Sequence, residues 1–420
     1  MPSAPASDQM SGVAGQYEQE AALILEVMAL DVESIQRALR ADGLDGWLLY
    51  DFHGSNPIAA GLAGLTTGVQ MTTRRWYYLI PAAGQPCGIV HAIERHNLDA
   101  LPGERIVYAR REQLDAALTT VLTGRSRIAM EYSPGCAIPY LSRVDAGTAE
   151  AIRQRGVEIV SSGDLVQRFE ACWTTQQLTS HEGASDALHR IKDRAFSTAR
   201  AALRDHVLLT EFGLQQQMVK WFDDEGLTSD SPPVVAAGAN AGNPHYLPTA
   251  ERSSAIVADQ VLLLDLWGKY TTPGAVFADI TWVGFTGGSV PQGPMEAFRA
   301  VVAARDAAVA CVETAARAGD DLRGWEVDRV ARTVLEEAGF GDRILHRTGH
   351  SLGAQVHGNG VHLDDYETHD ERRLLPGTGF TIEPGVYVGD FGVRSEINMY
   401  RGQNDAVVTG PRQEAIVTLI

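Results

Sequence analysis

Residues 261–285 read VLLLDLWGKYTTPGAVFADITWVGF, and this stretch decides the architecture of the second half of the chain. Two apolar runs rich in Leu, Val, Ile, Phe and Trp flank a short Thr-Pro-Gly segment, so each reads as a buried strand. Each run carries one acid: Asp265 follows VLLL, and Asp279 sits within VFADITWVG. A carboxylate inside a buried strand is costly unless it is paired or bound to metal. The pattern recurs downstream, with Glu383 in FTIEPGVYV and Glu396 in GVRSEINMY. Taken singly, each acid reads best as a strand-end residue facing water. Four together in apolar strand contexts call for cations, because acids are seldom fully buried unpaired.

Working outward, two helical segments, PMEAFRAVVAARDAAVACVETAARAG and LRGWEVDRVARTVLEEAG, interrupt these strands. Upstream, QLTSHEGASDALHRIKDRAFSTARAALRDHV reads as one long helix and LTEFGLQQQMVKWFDDEG as another. Strands mixed with helix pairs predict an α+β domain over residues 175–420. Before it, DGWLLYDF, RWYYLIP, CGIVHA, RIVYAR and RIAMEY are short strands, with the helices DVESIQRALRADG, REQLDAALTTVL and GTAEAIRQRG among them. That interleaving predicts an α/β domain over residues 21–174, with the joint near Cys172–Ser180. Residues 1–20, of which the first fifteen are rich in Ser, Ala, Pro and Gly, are expected to be disordered.

The bulk numbers narrow the classes. A chain of 420 residues with 45% hydrophobic and 21% charged residues suits two globular domains. A net charge of -18 repels phosphate backbones and anionic lipid, so nucleic acid and membrane are excluded as expected partners. The first basic side chain is Arg37 and no apolar run approaches a membrane span. The chain therefore reads as cytoplasmic, without a signal peptide. Cys87, Cys136, Cys172 and Cys311 are scattered and read mostly as buried reduced thiols.

Of 12 histidines, His346, His350, His357, His362 and His369 fall close together. In LHRTGHSLGAQVHGNG, Gly349, Gly353, Gly358 and Gly360 argue against a helix. A glycine-bracketed loop or strand edge that carries a histidine close to a ligand is the better reading. Neutral imidazole is the commonest nitrogen ligand for a metal. His362 and His369, further along, read as solvated loop residues.

LLLDLWG…ADIT, HRTGHSLG…VH, TIEPGVY and GVRSE, in that order, resemble the M24 metallopeptidases: methionine aminopeptidase, aminopeptidase P and prolidase. The resemblance covers roughly residues 175–420 and implies the pita-bread fold. The leading α/β domain resembles the N-terminal domain of aminopeptidase P, prolidase and creatinase. The family's ligand order Asp, Asp, His, Glu, Glu falls on Asp265, Asp279, His350, Glu383 and Glu396. Asp279 and Glu396 would then bridge two divalent ions, Asp265 would complete one, and His350 with Glu383 the other. One histidine among four carboxylates favours Mn²⁺, with Co²⁺ or Zn²⁺ as alternatives.

The resemblance also implies a mechanism, in which a hydroxide shared by the ions attacks the scissile carbonyl and Glu383 shuttles the proton. His245, in NAGNPHYLP, matches a substrate-facing histidine, and His346 and His357 match the histidines flanking the ligand. Arg394 matches an arginine of the Xaa-Pro branch, where a cation beside a bridging carboxylate is reasonable. The two-domain form with His346 and Arg394 points to an Xaa-Pro dipeptidase or aminopeptidase P acting on a proline-containing peptide as a homodimer. His53 and GSNP at 54–57 read as a surface loop, with a place at a dimeric pocket as the alternative.

Departures touch the pocket rather than the ligands. The aspartates are 14 residues apart (279 minus 265), so their hairpin carries extra residues, TTPGA. Trp282 stands where the family often has arginine, and Gly358 where it has an acid. A metal-free creatinase-like hydrolase and a non-catalytic pita-bread binding module are disfavoured, because those relatives lose ligands that this sequence keeps. Hydrolysis of another small amide at the same metals stays open.

Overall fold

The computed structural model describes residues 30–65 and 71–420; residues 1–20, expected to be disordered, lie outside them. The described chain forms two compact units, the first ending at Leu165 and the second spanning Val166–Ile420. Cys172 and Trp173 are therefore part of the second unit. Cys172 bridges to Thr378, and the Trp173 N–H donates to the Gly377 carbonyl at 2.7 Å.

The first unit opens with helix α1 (Val32–Ala41), capped by Asp31, whose side chain accepts from Ser34 N–H; Gly43 beyond its end takes the left-handed φ of 64°. Strand β1 (Gly46–Asp51), helix α2 (Pro57–Leu62) and strands β2 (Trp76–Pro81), β3 (Cys87–His91) and β4 (Glu104–Tyr108) follow. Helix α3 (Arg111–Leu122), β5 (Arg127–Met130), α4 (Ala146–Arg153) and β6 (Glu158–Ser161) complete it. The strands make one mixed sheet in the order β4-β3-β2-β1-β5-β6. Helices fall between some of the strands, as the sequence pattern predicts, while β2, β3 and β4 follow one another without an α-helix. The His53–Asn56 segment is a turn tied down by the Asp51 carboxylate, which accepts from the N–H groups of Gly54 and Asn56 at 3.1 and 2.8 Å. Asn56 then caps α2.

In the second unit the long helix α5 (Thr175–Arg204) starts at a capping box formed by Thr174 and Gln177. Helix α6 (Glu211–Asp224), β7 (Leu227–Thr228) and β8 (Val234–Ala237) lead to β9 (Val261–Tyr270) and β10 (Ala278–Phe285). Helices α7 (Gln292–Ala318) and α8 (Gly324–Glu337) come next. They precede β11 (Ser351–Leu352), β12 (Thr378–Ile382), β13 (Gly385–Val388), β14 (Phe391–Arg394), β15 (Ile397–Arg401), β16 (Ala406–Val408) and β17 (Val417–Thr418). One sheet runs β17-β10-β9-β7 with β8 also on β9; another runs β11-β12-β15-β16; β13 and β14 form a hairpin.

Strand alternation sorts β9 between two cores. Leu262, Leu264 and Leu266 pack with Leu188, Ile191 and Phe196 of α5. Val261 and Leu263 face the other way, packing with Phe298, Val301 and Val309 of α7. Asp265 continues that second face because strand side chains repeat every two residues. All four cysteines are free thiols, but the expected burial does not hold: Cys136 is exposed and the other three are half-buried. Cys136 sits in a tight turn with φ 56°. Among the described residues no helix is long and apolar enough to cross a membrane.

Candidate metal centre

The antiparallel register of β9 and β10 sets Thr281 opposite Asp265 and Asp279 opposite Trp267. Asp265, Asp279 and Thr281 therefore share one face of the hairpin. In the other sheet Ile382 pairs with Ile397, so Glu383 and Glu396 are the next residues on either strand. The two sheets meet here: the Glu396 N–H donates to the Thr281 carbonyl at 3.2 Å, and the Asp279 N–H to Asn398 Oδ1 at 2.9 Å. His350 directly precedes β11. Its N–H donates to Thr381 Oγ1 at 2.9 Å, and its carbonyl accepts from Thr381 N–H at 2.8 Å.

The side chains converge in a buried cluster. His350 Nε2 stands 3.6 Å from Asp279 Oδ2 and 3.4 Å from Glu383 Oε1, too long for good hydrogen bonds. One ligand atom each from Asp279, His350 and Glu396 lies within 4.8 Å of the others. Asp279 Oδ1 is buried without a hydrogen-bond partner. Burial, and then the charges of Asp265 and Glu383, push the Asp279 carboxyl well above the usual carboxylate range. Burial and the Asp279 charge do the same to Glu396. Burial also raises Asp265, against the pull of Arg394. Crowded carboxylates at ligand spacing, one with an oxygen left unpaired, fit a site built for divalent cations, which would supply the missing positive charge.

Two threonines knit the cluster together. Thr281 is fully buried; its hydroxyl accepts from Arg394 Nε at 2.9 Å and donates to Glu396 Oε2 at 2.7 Å. Thr381 takes the His350 N–H and donates to Glu383 Oε1 at 3.1 Å. Arg394 also pairs with Asp265 and donates to the Tyr387 hydroxyl at 3.0 Å. His346 Nδ1 must be the protonated nitrogen, since it faces the Arg347 carbonyl at 2.7 Å; Nε2 then accepts from Tyr387 O–H at 2.7 Å. Both nitrogens of His346 are thus occupied. Sequence reading missed Thr281, Thr381 and Tyr387. The available signal was spacing, because Thr281 and Thr381 each sit two residues from a ligand candidate and so share its face.

The other expected residues are placed differently. His357 is exposed at the mouth of a cleft of about 470 Å³, its ring edge-on to His350 at 4.4 Å between centroids. His245 stands apart, exposed in a second cleft of about 460 Å³ with Asn243, Arg252 and Ser253. His362 corrects an expectation. It is 1% exposed rather than solvated, because its Nδ1 accepts the Ser351 N–H at 3.1 Å beneath the His350 strand. His369 is half-buried, held by Asp365 at 2.6 Å. Trp282 points away from the cluster, as its odd spacing from Asp279 requires, and lies under Lys192 Nζ at 3.6 Å on the α5 side.

Fold and cluster together define a pita-bread unit, preceded by an α/β domain, with a buried acid–histidine centre fit for metal. The chain belongs to metallopeptidase family M24, whose sequence model matches residues 185–403. It is similar to the Xaa-Pro dipeptidase of Lactobacillus helveticus, 26% identical over 55% of this chain and 58% of that one. The chain spans between 44% and 64% of the length of the curated relatives compared with it. Its fold is similar to the solved dipeptidase PepE of Mycobacterium ulcerans (TM-score 0.67, 21% identity, 94% of this chain and 98% of that one). It is also similar to the X-Pro aminopeptidase of Thermotoga maritima (TM-score 0.54, 20% identity, 91% and 99%).

Proposed function

We propose that this protein is a metal-dependent peptidase that cleaves the bond between any residue and a following proline, acting foremost on dipeptides. The observation that carries this reading is the buried cluster, in which Asp279 Oδ1 has no partner and ligand atoms of Asp279, His350 and Glu396 gather within 4.8 Å. Asp265, Asp279, His350, Glu383 and Glu396 would hold two divalent ions, with Asp279 and Glu396 shared between them. Four carboxylates against one contacting guanidinium, Arg394, leave a charge deficit that two such ions offset. The donor set favours Mn²⁺ over a thiolate-type zinc site. When bound, a divalent pair supplies an acidified water and polarises a carbonyl.

The chain's own groups do the rest. Glu383 takes the proton of the attacking water at Oε2, the oxygen that Thr381 leaves open, and returns it to the departing proline nitrogen. His357 reaches the substrate carbonyl from beside His350, and His245 approaches from its loop, each as a hydrogen-bond donor to developing negative charge. His346 acts through Tyr387, which steadies Arg394 and hence Asp265 and Glu396. A tertiary Xaa-Pro amide lacks the N–H that most proteases grip, so recognition rests on such side chains. A cytoplasmic homodimer belongs to this reading, with the assembly checked by sedimentation.

The test has two parts. Metal is quantified on protein purified without chelator, and Met-Pro, Gly-Pro and Xaa-Pro-Pro peptides are then assayed with added Mn²⁺. Proline release from the dipeptides is expected. Cleavage of the tripeptide instead selects the aminopeptidase activity, and metal-loaded protein inert on all three refutes the Xaa-Pro reading.

A further inference from the structure

The His245 cleft has a chemistry of its own. Apart from the Tyr246 ring its lining residues are polar, and they include Arg252, Asn243, Ser253 and Ser254. Among the described residues the Arg252 guanidinium makes no hydrogen bond or ion pair, on a chain whose net charge is -18. Donors are in surplus around it. Asn243 uses its oxygen to accept the His245 N–H at 3.1 Å, which leaves its amide NH₂ to donate. Ser253 Oγ accepts from Phe212 N–H at 2.9 Å and Ser254 Oγ from Asn240 Nδ2 at 3.0 Å, so both hydroxyl protons are left to point elsewhere. Two further clefts offer fewer free donors. One carries Asp320, Asp321 and Glu326, and the one beside His357 has Asp230, with Lys269 already donating to the Ala354 carbonyl at 2.6 Å.

The walls of this cleft are also held rigidly from behind. Glu211 is fully buried, and its carboxylate accepts from Ala237 N–H at 2.7 Å, Tyr246 O–H at 2.6 Å and Ser254 N–H at 2.6 Å, as well as from the Asn240 amide at 3.0 Å. One acid thus pins both ends and the middle of the segment that carries His245. Its charge is spread over four donors rather than left to neutralise Arg252. A preorganised wall loses little freedom when a ligand arrives, which is what a binding site needs.

The geometry points to a binding site for a small oxyanion, a carboxylate or a phosphate, gripped by Arg252 with Asn243, Ser253 and Ser254. A guanidinium beside neutral donors is the usual solution for such planar or tetrahedral anions. Two sources carry this chemistry. One is the carboxyl end of a peptide substrate, a case that rests on the peptidase reading above; the other is a free anion.

The experiment titrates sulfate calorimetrically into the full-length wild type, Arg252→Gln and Arg252→Lys, and measures kcat and KM for Leu-Pro and Leu-Pro-amide with Mn²⁺. Arg252 is exposed and unpaired, so both variants are expected to melt as the wild type does. Sulfate binding should weaken about tenfold or more in Arg252→Gln, the scale of one charge-assisted hydrogen bond, and recover in part in Arg252→Lys. A rise in KM for Leu-Pro but not for its amide, with kcat unchanged, assigns the anion to the substrate's carboxylate. Weakened sulfate binding with both KM values unchanged assigns it to a free anion. Equal sulfate affinity in wild type and Arg252→Gln overturns the site. Wild type that cleaves neither peptide sinks the peptidase reading alone, since the sulfate titration still decides this one.

Discussion

Replacing Thr281 by valine tests whether the metal centre depends on the hydroxyl relay behind it. Valine keeps the shape of threonine, and residue 281 is fully buried, so the substitution removes chemistry rather than volume. Two bonds disappear together, the 2.9 Å bond from Arg394 Nε and the 2.7 Å bond to Glu396 Oε2. Each involves a charged group, for which the net worth is about 1.5–3 kcal/mol. Arg394 keeps Asp265 and the Tyr387 hydroxyl, so the loss falls mainly on Glu396, whose orientation toward Asp279 is no longer held. Disturbing such a supporting partner typically costs about 10–100-fold in metal affinity, roughly 1.4–2.8 kcal/mol. Calorimetric titration of Mn²⁺ into chelator-treated wild type and Thr281→Val measures this directly, and Thr281→Ser should restore most of the loss. Affinities within twofold of each other would refute the relay.

The packing around the site and in the core bears on three further variants. A Cβ at Gly349 would lie 2.1 Å from the Thr381 carbonyl oxygen, so Gly349→Ala must shift the backbone beside His350; metal affinity should fall at least tenfold, read by the same titration. Asp279→Asn removes a buried like charge, so the metal-free variant should melt at or above the metal-free wild type while losing the rise in melting temperature that Mn²⁺ gives the wild type; a variant stabilised equally by Mn²⁺ would count against Asp279 as a ligand. His181 is fully buried between the Phe277 carbonyl at 2.8 Å and Thr409 Oγ1 at 2.7 Å, and burial lowers its pKa from 6.5 to about 4. The unfolded chain therefore takes up this proton first as pH falls. Stability should be full above about pH 6.5 and drop by about 3 kcal/mol by pH 4, a slope in urea midpoint that His181→Gln flattens.

The strands and helices of both units were legible because their signals are local. Asp31 and Gly43 mark the ends of α1, and the apolar run VLLL marks β9. The joint between the units was less so. Cys172 and Trp173 are followed by a helix start, yet their partners, Thr378 and Gly377, lie more than 200 residues away and leave no trace nearby. Among the histidines, the glycine-rich run marked the group His346, His350 and His357 and the family's ligand order picked out His350, whereas His362 looked like loop because nothing in GNGVHLDDY announces the Ser351 N–H above it.

At the site itself the division is sharper. The sequence alone determined that two acids, Asp265 and Asp279, lie within strands and two, Glu383 and Glu396, beside strand ends, that a histidine follows Gly349, and that Asp279 and Thr281 share a face while Trp282 does not. Each of these depends only on the two-residue repeat of a strand and the restrictions on a few glycines. The tertiary structure decided which faces meet. Thr281 and Glu396 are 115 residues apart, and only the docking of β10 against β15 makes them hydrogen-bonded partners. The fold of the chain around the β13–β14 hairpin likewise brings Tyr387 against His346 and Arg394, while His245 and Arg252 line a cleft of their own. Side-chain periodicity is a property of each strand, whereas the convergence of charges that calls for metal is a property of two sheets packed together.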